Sequence, residues 1–358
     1  MINLYLQNVT MNKKKILLLI DFIMVLAAFV TLAVAIITLV YGNSKPVPNS
    51  VLNLAGFFLP VIVISSLFLL FYWGFRRSFL VLIPILALLI NYNSILGNAQ
   101  FRFKKSAPNI IKSSSVRIAT YNIHEFISKE DLSLVNDLAE FIKSNNIDII
   151  CFQEFRAPYF LNKKELISYF DFLPYHFIKE ADMEEIGMAI FSRYPIIRAQ
   201  RVDFENTGNG IIWTDLQINS KKVFRIINNH LQTTNYERNR NADISGKIEF
   251  LKKNSILRAH QADVVRSIID TTTIPVIVCG DFNDIPTSYT FSTIKGKDLV
   301  DGFREAGSWL GGTYRGMGGL LRIDYILHSK GFRCVDYSNP NIDLSDHRPV
   351  ISELVFRN

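Results

Sequence analysis

The sequence of 358 residues predicts an α/β domain that is preceded by an all-α transmembrane segment of three helices. Long apolar runs with few charges occupy the N-terminal part of the chain, whereas short apolar runs alternate with amphipathic stretches in the remainder. The balance of charged residues also differs between these two parts of the chain. The net charge is +7, but residues 1–105 hold nine basic side chains and one acidic side chain, so residues 106–358 carry a net charge of −1.

The three apolar runs lie near residues 16–41, 51–73 and 79–96, and they define a predicted transmembrane region at residues 1–97. The first run contains a single charged residue, Asp21, and is longer than the roughly 20 apolar residues that cross a bilayer. This length argues against a cleaved signal peptide, whose apolar core is shorter. Asp21 is close to Lys15 in the sequence, which favours a carboxylate at the membrane interface over an ion path inside the bilayer.

The basic residues that flank these runs leave the orientation of the helices open. One side carries Lys13, Lys14, Lys15, Arg76 and Arg77, and the other side carries Lys45, Arg102, Lys104, Lys105 and Lys112. The two sets balance under the positive-inside rule. Because the first helix usually dominates, we expect a multi-pass membrane protein with its N-terminus in the cytoplasm and its C-terminal domain outside the cytoplasm.

A polar, basic stretch with Pro108 marks residues 98–115 as a linker to a domain at residues 116–358. Strand-like apolar runs then lie at 116–123, 148–153, 188–193, 211–218, 223–231, 276–281, 322–328 and 349–356. The three cysteines, Cys151, Cys279 and Cys334, share no spacing typical of metal sites and are too few for a disulfide framework. We therefore expect them to be small core residues.

Two amphipathic helices are predicted between the strands. Ser128 and Asp131 resemble a capping box, and the helix that they open has an apolar face of Leu134, Val135, Leu138, Phe141 and Ile142. The second helix carries Ile256, Leu257, Val264, Val265, Ile268 and Ile269. Residues 232–255, which precede most of this helix, form a mildly basic polar insertion. We interpret it as a solvated lid rather than as a loop that contacts phosphate.

Polar side chains recur where the predicted strands end. They are Asn122, Gln153 with Glu154, Asn228 with His230, and Asp281 with Asn283, while Asp346 and His347 precede the last strand. Because strand ends meet at one edge of a sheet, residues far apart in the sequence are expected to share a site. Carboxylate and amide oxygens suit Mg²⁺, and an imidazole moves protons, so the set points to metal-assisted phosphoester hydrolysis. Each motif alone is weak, since such turns are common on protein surfaces.

The ordered set of motifs resembles the endonuclease/exonuclease/phosphatase superfamily, whose members include deoxyribonuclease I-like enzymes. The matching blocks are TYNI at 120–123, FQE at 152–154, MAIFSRYPI at 188–196, NNHL at 228–231, GDFND at 280–284, RIDYIL at 322–327 and SDHRPV at 345–350. This resemblance covers residues 116–358. It implies a four-layered α/β sandwich, in which two mostly antiparallel sheets pack together between helices.

The resemblance also implies roles for individual residues. Glu154 is the expected principal metal ligand, with Asn122 beside it and Asp346 near the same shell or a second metal. His347 is the expected proton-transferring imidazole, oriented by Asp324. Asp281 would orient the attacking water, Asn283 would donate to a phosphate oxygen, and His230 would stabilise developing charge; the base is either Asp281 or His347. Asn228 and Arg156 are expected to contact substrate, and the cofactor would be Mg²⁺, with Mn²⁺ as an alternative.

The remaining histidines and Arg156 are interpreted from their positions in the sequence. His124 follows the TYNI block and is interpreted either as a substrate contact or as a solvated loop residue. Arg156 is likewise open, because an arginine on the surface is ordinary. His176, His260 and His328 lack ligand spacing and are predicted to be structural.

Three functions are compatible with the sequence. The leading hypothesis is a membrane-anchored, Mg²⁺-dependent phosphodiesterase of nuclease type, which would make nucleic acid the partner. The second is a phosphodiesterase or phosphatase that acts on lipid headgroups, which the net charge of −1 favours weakly, since duplex binding usually needs a basic face. The third is a scaffold without activity, which the joint presence of Asn122, Glu154, Asp324 and His347 argues against. No protein partner is implied.

Overall fold

A computed structural model describes residues 2–102, 115–126, 133–158, 161–180, 186–220, 222–234 and 243–357. Its contacts divide the chain into two compact units. The N-terminal unit comprises Met1–Lys45 and Val51–Ile95, and the C-terminal unit comprises Pro46–Ser50 and Leu96–Asn358. Ser128, Asp131 and most of the predicted linker lie outside the described residues.

The N-terminal unit is helical. It contains α1 (Ile2–Tyr41), a 3₁₀ helix at Val51–Phe58, α2 (Leu59–Phe75), a 3₁₀ helix at Phe79–Val81, α3 (Leu82–Ile90) and the start of α4 (Tyr92–Asn98). Two segments, Lys13–Tyr41 and Val51–Phe75, are long and apolar enough to cross a membrane. The third predicted span is a pair of helices, Phe79–Ile90 and Tyr92–Asn98, that meet at 60°, so the described residues contain three spans only if this pair counts as one.

Small and polar residues fix the packing of these helices. Ala28, Ala35 and Ala87 are buried where the helices approach one another, which is typical of membrane helix contacts. The Asn91 amide donates to the carbonyl of Ala35 at 3.1 Å. Asp21 accepts a hydrogen bond from the Tyr72 hydroxyl at 2.5 Å and forms an ion pair with Arg76 at the end of α2. This partner was not expected from the sequence.

The C-terminal unit alternates strands and helices, as the sequence predicted. The strands are β1 (Ala99–Gln100), β2 (Ser115–Asn122), β3 (Ile149–Gln153), β4 (Tyr175–Lys179), β5 (Met188–Ser192), β6 (Ile196–Asp203), β7 (Gly210–Asn219), β8 (Lys222–His230), β9 (Val276–Asp281), β10 (Leu299–Asp301), β11 (Trp309–Leu310), β12 (Asp324–Ser329), β13 (Phe332–Ser338) and β14 (Val350–Phe356). The helices are α5 (Ser133–Ser144), α6 (Lys163–Ser168), α7 (Ile244–Asp270), α8 (Tyr289–Lys295) and α9 (Gly302–Ala306).

Twelve of these strands form two six-stranded sheets. The first has the order β13-β14-β2-β3-β5-β4, and the second has the order β10-β12-β9-β8-β7-β6. Each sheet has one parallel pair near its centre, β2 with β3 and β8 with β9, and its other pairs are antiparallel. The short strands β1 and β11 pair separately.

Alternation along the central strands explains the four layers. In β2, Ile118 faces a core that includes Ile226 and Cys279 of the second sheet, whereas Ala119 and Tyr121 face the core beneath α5. The second sheet packs its outer face on α7 through Val265 and Ile269. The predicted four-layered α/β sandwich is therefore confirmed.

The cysteines and α5 match their predictions, but α7 differs in part. All three cysteines are buried and free, and the predicted apolar face of α5 is buried, with Phe141 partly so. Of the predicted lid at 232–255, residues 235–242 lie outside the described residues, and the part from Ile244 onward is helical in α7. Val264, predicted to face the core, is exposed instead, and the inner face of α7 includes buried polar residues such as Arg258 and Gln261 beside Val265 and Ile269.

Candidate active site

The polar residues predicted at strand ends meet at one edge of the C-terminal unit. Asn122 ends β2, and Glu154 directly follows β3, its parallel neighbour. Asp281 ends β9, where its register partners are His230 at the end of β8 and Asp324 at the start of β12. The carboxyl ends of the two central parallel pairs therefore lie side by side, which is why residues more than a hundred positions apart come together.

A buried His–Asp pair forms one side of the site. His347 Nδ1 lies 2.9 Å from Asp324 Oδ2, and His347 Nε2 lies 3.8 Å from Asp281 Oδ2. All three side chains are buried. Asp324 Oδ1 is buried and has no hydrogen-bond partner among the described residues. The Asp324 carboxylate therefore orients the imidazole, with Nε2 directed toward Asp281.

Asn122 joins the two principal carboxylates. Its Nδ2 donates to Glu154 Oε1 and to Asp281 Oδ2, both at 3.0 Å. Its Oδ1 accepts the backbone N–H of His124 at 3.0 Å, which fixes the direction of the amide. The nitrogen of Asn122, rather than the oxygen, faces the carboxylates, so direct binding of a cation through this amide requires it to rotate.

Asn283 holds Asp281 in place. Its backbone N–H donates to Asp281 Oδ1 at 2.8 Å, and its Nδ2 donates to Asp281 Oδ2 at 3.2 Å and to the carbonyl of Leu231 at 2.9 Å. The amide hydrogens of Asn283 are thus used within the protein, and its expected contact with a phosphate oxygen remains a prediction. Asn283 and Glu154 both adopt left-handed backbone conformations, with φ of 51° and 53°. This region is uncommon for residues other than glycine and asparagine, so the conformation of Glu154 is the more unusual of the two.

His230 directs a ring nitrogen into the site. Its Nδ1 lies 3.4 Å from the amide nitrogen of Asn209, a donor, so Nδ1 acts as the acceptor and Nε2 carries the proton. Nε2 lies 3.5 Å from Glu154 Oε1 and 3.8 Å from Asp281 Oδ2, and it has no hydrogen-bond partner among the described residues. It is therefore a buried donor available to an anion.

Burial and mutual charge set the protonation of these groups. Burial, together with the charge of Asp324, raises the pKa of Asp281 to about 8. Burial alone would lower the pKa of His347, but Asp324 and Asp281 outweigh it and raise the pKa to about 10. Burial likewise opposes ionisation of Glu154, yet His230 and Asn122 hold the pKa of Glu154 below its usual value. Burial lowers the pKa of His230, which agrees with its neutral form.

The remaining predicted residues lie at the margin of this centre or beneath it. Asp346 is half-exposed and lies 3.5 Å from His124 Nδ1. Arg156 is exposed, with its Nε 3.4 Å from Glu125 Oε1. Asn228 is fully buried between the sheets, where its Nδ2 donates to the carbonyls of Phe152 and Ala189. The Asn228 amide is thus occupied in joining the two sheets rather than in facing the opening of the site.

The three histidines predicted to be structural lie outside the centre. His328 is buried and lies 2.9 Å from Glu305 through Nε2, whereas His176 is exposed on β4 beside the Phe191 ring. His260 lies on the exposed side of α7.

The donor set fits a divalent cation. Among the described residues, Asp281, Asp324 and His347 each offer one ligand atom, and these atoms lie within 4.8 Å of one another. Glu154 is joined to this group through Asn122 and adds an ionised carboxylate. A cluster of carboxylates in which one pKa is raised to about 8 is stabilised by a nearby cation. Asp281, Asp324 and His347, which were predicted as catalytic residues, form this group. The assignment of Glu154, Asn122 and Asp346 as metal ligands stays a prediction.

Three supporting residues were missed in the sequence. Thr313 Oγ1 accepts the backbone N–H of Asp324 at 3.1 Å, and Tyr314 forms a backbone bridge to His347 with the two rings 5.2 Å apart. Asn209 sets the tautomer of His230. These residues act through contacts between distant loops, so no local spacing could have identified them.

Comparison with known proteins agrees with the fold. A sequence profile of the Endonuclease/Exonuclease/phosphatase family matches residues 119–347. A search of curated proteins gave no significant match. Among solved structures, an endonuclease/exonuclease/phosphatase from Beutenbergia cavernae is similar, with 18% identity, a TM-score of 0.52, and coverage of 68% of this chain and 72% of that chain.

Two further solved structures show the same fold. The human Nocturnin catalytic domain has 20% identity and a TM-score of 0.50, with coverage of 68% of this chain and 94% of that chain. An endonuclease/exonuclease/phosphatase from Bacteroides vulgatus has 17% identity and a TM-score of 0.52, with coverage of 68% and 100%. The profile match extends over more than half of the chain and ends at His347. The chain belongs to the endonuclease/exonuclease/phosphatase family.

Proposed function

We propose that this protein is a membrane-anchored, metal-dependent phosphoester hydrolase that cleaves phosphodiesters. The family includes metal-dependent phosphoester hydrolases. The observation that carries the proposal is the buried group of Asp281, Asp324 and His347, whose ligand atoms lie within 4.8 Å of one another beside Glu154. A binding module would gain nothing from burying these titratable groups together, since each costs free energy to desolvate.

The residues of the site have complementary roles in this reaction. The oxygen of a water forms the new bond to phosphorus, the ester P–O bond breaks, and the leaving oxygen takes up a proton. Asp281 Oδ2 and His347 Nε2 lie 3.8 Å apart, and whichever of the two is unprotonated would accept the proton of the water. Asp324 keeps the imidazole oriented, and the Nε2–H of His230 donates to a phosphoryl oxygen as negative charge develops.

Glu154 and Asp281 are the residues that would hold a divalent cation, with Asn122 and Asp346 beside them. When bound, Mg²⁺ or Mn²⁺ would neutralise negative charge on the phosphate group and lower the pKa of the attacking water. The lowered pKa of Glu154 supports its part in this assignment, because a metal ligand must be ionised, and a bound cation would favour ionisation of Asp281 as well.

Hydrolysis of bis(p-nitrophenyl) phosphate by the purified full chain tests the proposal. We expect hydrolysis with Mg²⁺, none with EDTA, and a loss of roughly 10²–10⁴-fold in the Asp281→Asn and His347→Ala variants, the range typical of a lost acid or base. His176→Ala is the matched control, since His176 is an exposed histidine on β4, outside the centre. Wild-type turnover in His347→Ala would contradict its role, and no metal-dependent hydrolysis would contradict the function.

The position at the membrane is a separate part of the proposal. With three spans, the C-terminal domain lies on the opposite side from the N-terminus, whereas two spans would place both on the same side. Because the native cysteines are buried, single cysteines introduced at Ser44, Ser78 and Ile197 report on sidedness. We expect an impermeant maleimide to label Ser44→Cys and Ile197→Cys, but not Ser78→Cys, in intact cells. Labelling of Ser44→Cys without Ile197→Cys would establish two spans.

A further inference from the structure

Five large apolar side chains of the C-terminal unit face solvent in segments of the chain that are joined by backbone contacts. They are Phe101, Trp309, Leu310, Met317 and Leu320, with exposures from 58% to 78%. We call these five residues the apolar rim. Single exposed apolar residues are ordinary, but a cluster of them marks an interaction surface.

Backbone contacts join the segments that carry these residues. In the short ladder of β1 and β11, Ala99 pairs with Leu310 and Gln100 pairs with Trp309. Phe101 directly follows Gln100 in the chain. The segment 311–321 then folds back as a hairpin, in which the N–H of Thr313 donates to the carbonyl of Leu321 at 2.8 Å. Gly312 lies so close to Gly319 that a Cβ atom on Gly312 would be 2.0 Å from the Gly319 carbonyl. Leu310 and Leu320 flank these two glycines.

The same hairpin contacts the catalytic histidine. Tyr314 forms a backbone bridge with His347, and the N–H of Arg315 donates to the carbonyl of Asp346 at 2.8 Å. The N–H of Arg348 donates to the carbonyl of Thr313 at 2.7 Å. The hairpin that carries Met317 and Leu320 therefore packs against the segment that carries His347.

The rim also lies where the chain leaves its apolar segment. Helix α4 ends at Asn98, whose carbonyl accepts the N–H of Gly311 at 3.0 Å. Gly97 is packed against the loop that follows Asp281, since a Cβ atom on Gly97 would lie 2.9 Å from Pro286 Cβ. All these residues belong to the C-terminal unit. Phe101 of the rim therefore follows by only three residues the helix pair Phe79–Ile90 and Tyr92–Asn98, which together are apolar enough to enter a membrane.

The backbone of the rim is itself unusual. Trp309 and Met317 have φ of 58° and 51°, in the left-handed region that residues with large side chains rarely adopt. Such conformations persist only where the surrounding structure enforces them, and they cluster at functional sites. Tryptophan at the edge of an apolar surface is typical of proteins that contact the interfacial region of a bilayer.

We infer that the apolar rim enters the interfacial region of the bilayer, and that the site acts on the phosphodiester of a lipid headgroup. This inference rests on the proposed phosphodiesterase function. The reaction needs no further co-reactant, because water supplies the new P–O bond and the alcohol released takes the proton. The charge agrees with this substrate, since residues 106–358 carry −1, whereas enzymes of duplex nucleic acid usually present a basic face.

Full-length protein in vesicles of phosphatidylcholine, phosphatidylethanolamine and phosphatidylglycerol tests the inference. Release of lipid headgroups is compared with hydrolysis of a soluble glycerophosphodiester and of bis(p-nitrophenyl) phosphate. In the rim variant, Trp309→Gln with Leu320→Gln, we expect headgroup release to fall at least tenfold relative to hydrolysis of the soluble diesters. The control variant, Tyr175→Gln with Ile197→Gln, removes two exposed apolar side chains from β4 and β6 and is expected to keep the wild-type ratio.

The outcomes separate this inference from the function on which it rests. Hydrolysis of soluble diesters, plasmid DNA or oligonucleotides without headgroup release would overturn the lipid substrate and leave the phosphodiesterase function standing. A wild-type ratio in the rim variant would overturn the role of the rim. If no diester is hydrolysed, the proposed function itself fails.

Fluorescence gives a test of insertion that does not depend on activity. Trp73 lies in α2, Trp213 is buried in β7, and Trp309 is exposed, so the difference between wild type and Trp309→Phe isolates the signal of the rim. In vesicles that contain brominated phosphatidylcholine, we expect this difference signal to be quenched. An unquenched signal would show that Trp309 faces water or a protein surface, and would overturn the inference.

Discussion

Replacing Asn122 with aspartate tests whether the site is built to hold a cation. The two side chains have the same shape, but Asn122 donates from Nδ2 to Glu154 and Asp281, both at 3.0 Å. An aspartate oxygen in this position faces two carboxylate oxygens instead. Two like charges about 4 Å apart repel by about 4 kcal/mol at an effective dielectric constant of about 20. When the carboxyl groups are ionised, the substitution therefore converts two hydrogen bonds into two repulsions.

Protonation limits the cost of this substitution. Neutralising a carboxyl whose ordinary pKa is about 3.9 costs about 4 kcal/mol at pH 7. The site has little capacity for more charge, since burial and Asp324 already raise the pKa of Asp281 to about 8. Without metal, we expect the unfolding free energy of Asn122→Asp to fall by about 4 kcal/mol, and its Tm by roughly 8–16 °C. This deficit shrinks as the pH falls toward 4, because the unfolded chain then binds the proton as well.

Thermal unfolding of the full chain in detergent, followed by near-ultraviolet circular dichroism with EDTA or with excess Mg²⁺, measures the effect. Asn229→Asp is the matched control: Asn229 is equally buried and donates to the carbonyl of Cys279 at 3.0 Å. Both variants should be destabilised in EDTA, but Mg²⁺ should raise the Tm of Asn122→Asp by more than that of the control or the wild type. Equal responses of the two variants to Mg²⁺ would refute the reasoning.

Three further predictions concern single contacts. Gly280→Ala should lower the free energy of unfolding by more than about 3 kcal/mol, because a Cβ atom there would lie 2.0 Å from the Asn229 carbonyl oxygen and the φ of Gly280 is 125°. Chemical denaturation compares this variant with Gly331→Ala, whose added Cβ atom would meet only ordinary contacts. Partial burial raises the pKa of Glu305, but hydrogen bonds from His328 and the Cys334 N–H lower it below its ordinary value. Glu305→Gln should therefore be less stable than wild type above about pH 4.5, and the difference should vanish as the pH falls through the lowered pKa; denaturation at several pH values measures this. Asp324→Asn should reduce kcat with Mg²⁺ by roughly 10²-fold or more while the fold is retained, because His347 loses its orienting carboxylate; steady-state kinetics and circular dichroism test both parts.

The sequence contains much of the fold because its central strands are fully buried. Strands β2, β3, β5, β8 and β9 are apolar along their length and end in polar residues, so both their positions and the edge where they meet can be predicted. The edge strand β6 was not predicted, because most of its residues are exposed and its apolar residues do not alternate. A strand that is buried on both faces appears in the sequence as a continuous apolar run, and an exposed edge strand has no such run.

The site was predictable to the level of its residues but not of its contacts. Asn122, Glu154, Asp281 and His347 stand at strand ends, and their order along the chain matches the family blocks. The direction of the Asn122 amide depends on the N–H of His124, which only the folded loop supplies. The burial of Asn228 between the sheets likewise depends on the packing of β8 against β3 and β5. Spacing along the sequence carries no information on such contacts.

Local rules of protein structure are broken at the site in several ways at once. Glu154 and Asn283 hold left-handed backbone conformations, Asp324 Oδ1 and His230 Nε2 are buried without partners among the described residues, and several titratable groups crowd together. Each of these features costs free energy, which the packing of the two sheets must offset. Beneath the site, a buried hydrogen bond from Gln153 to Asn228 helps to hold the two sheets together. A bound cation and a phosphate group would satisfy the crowded carboxylates and the unpartnered donor together. Stability and ligand binding should therefore be coupled in this protein, with metal removal lowering the Tm of the C-terminal unit even in variants that cannot turn over substrate.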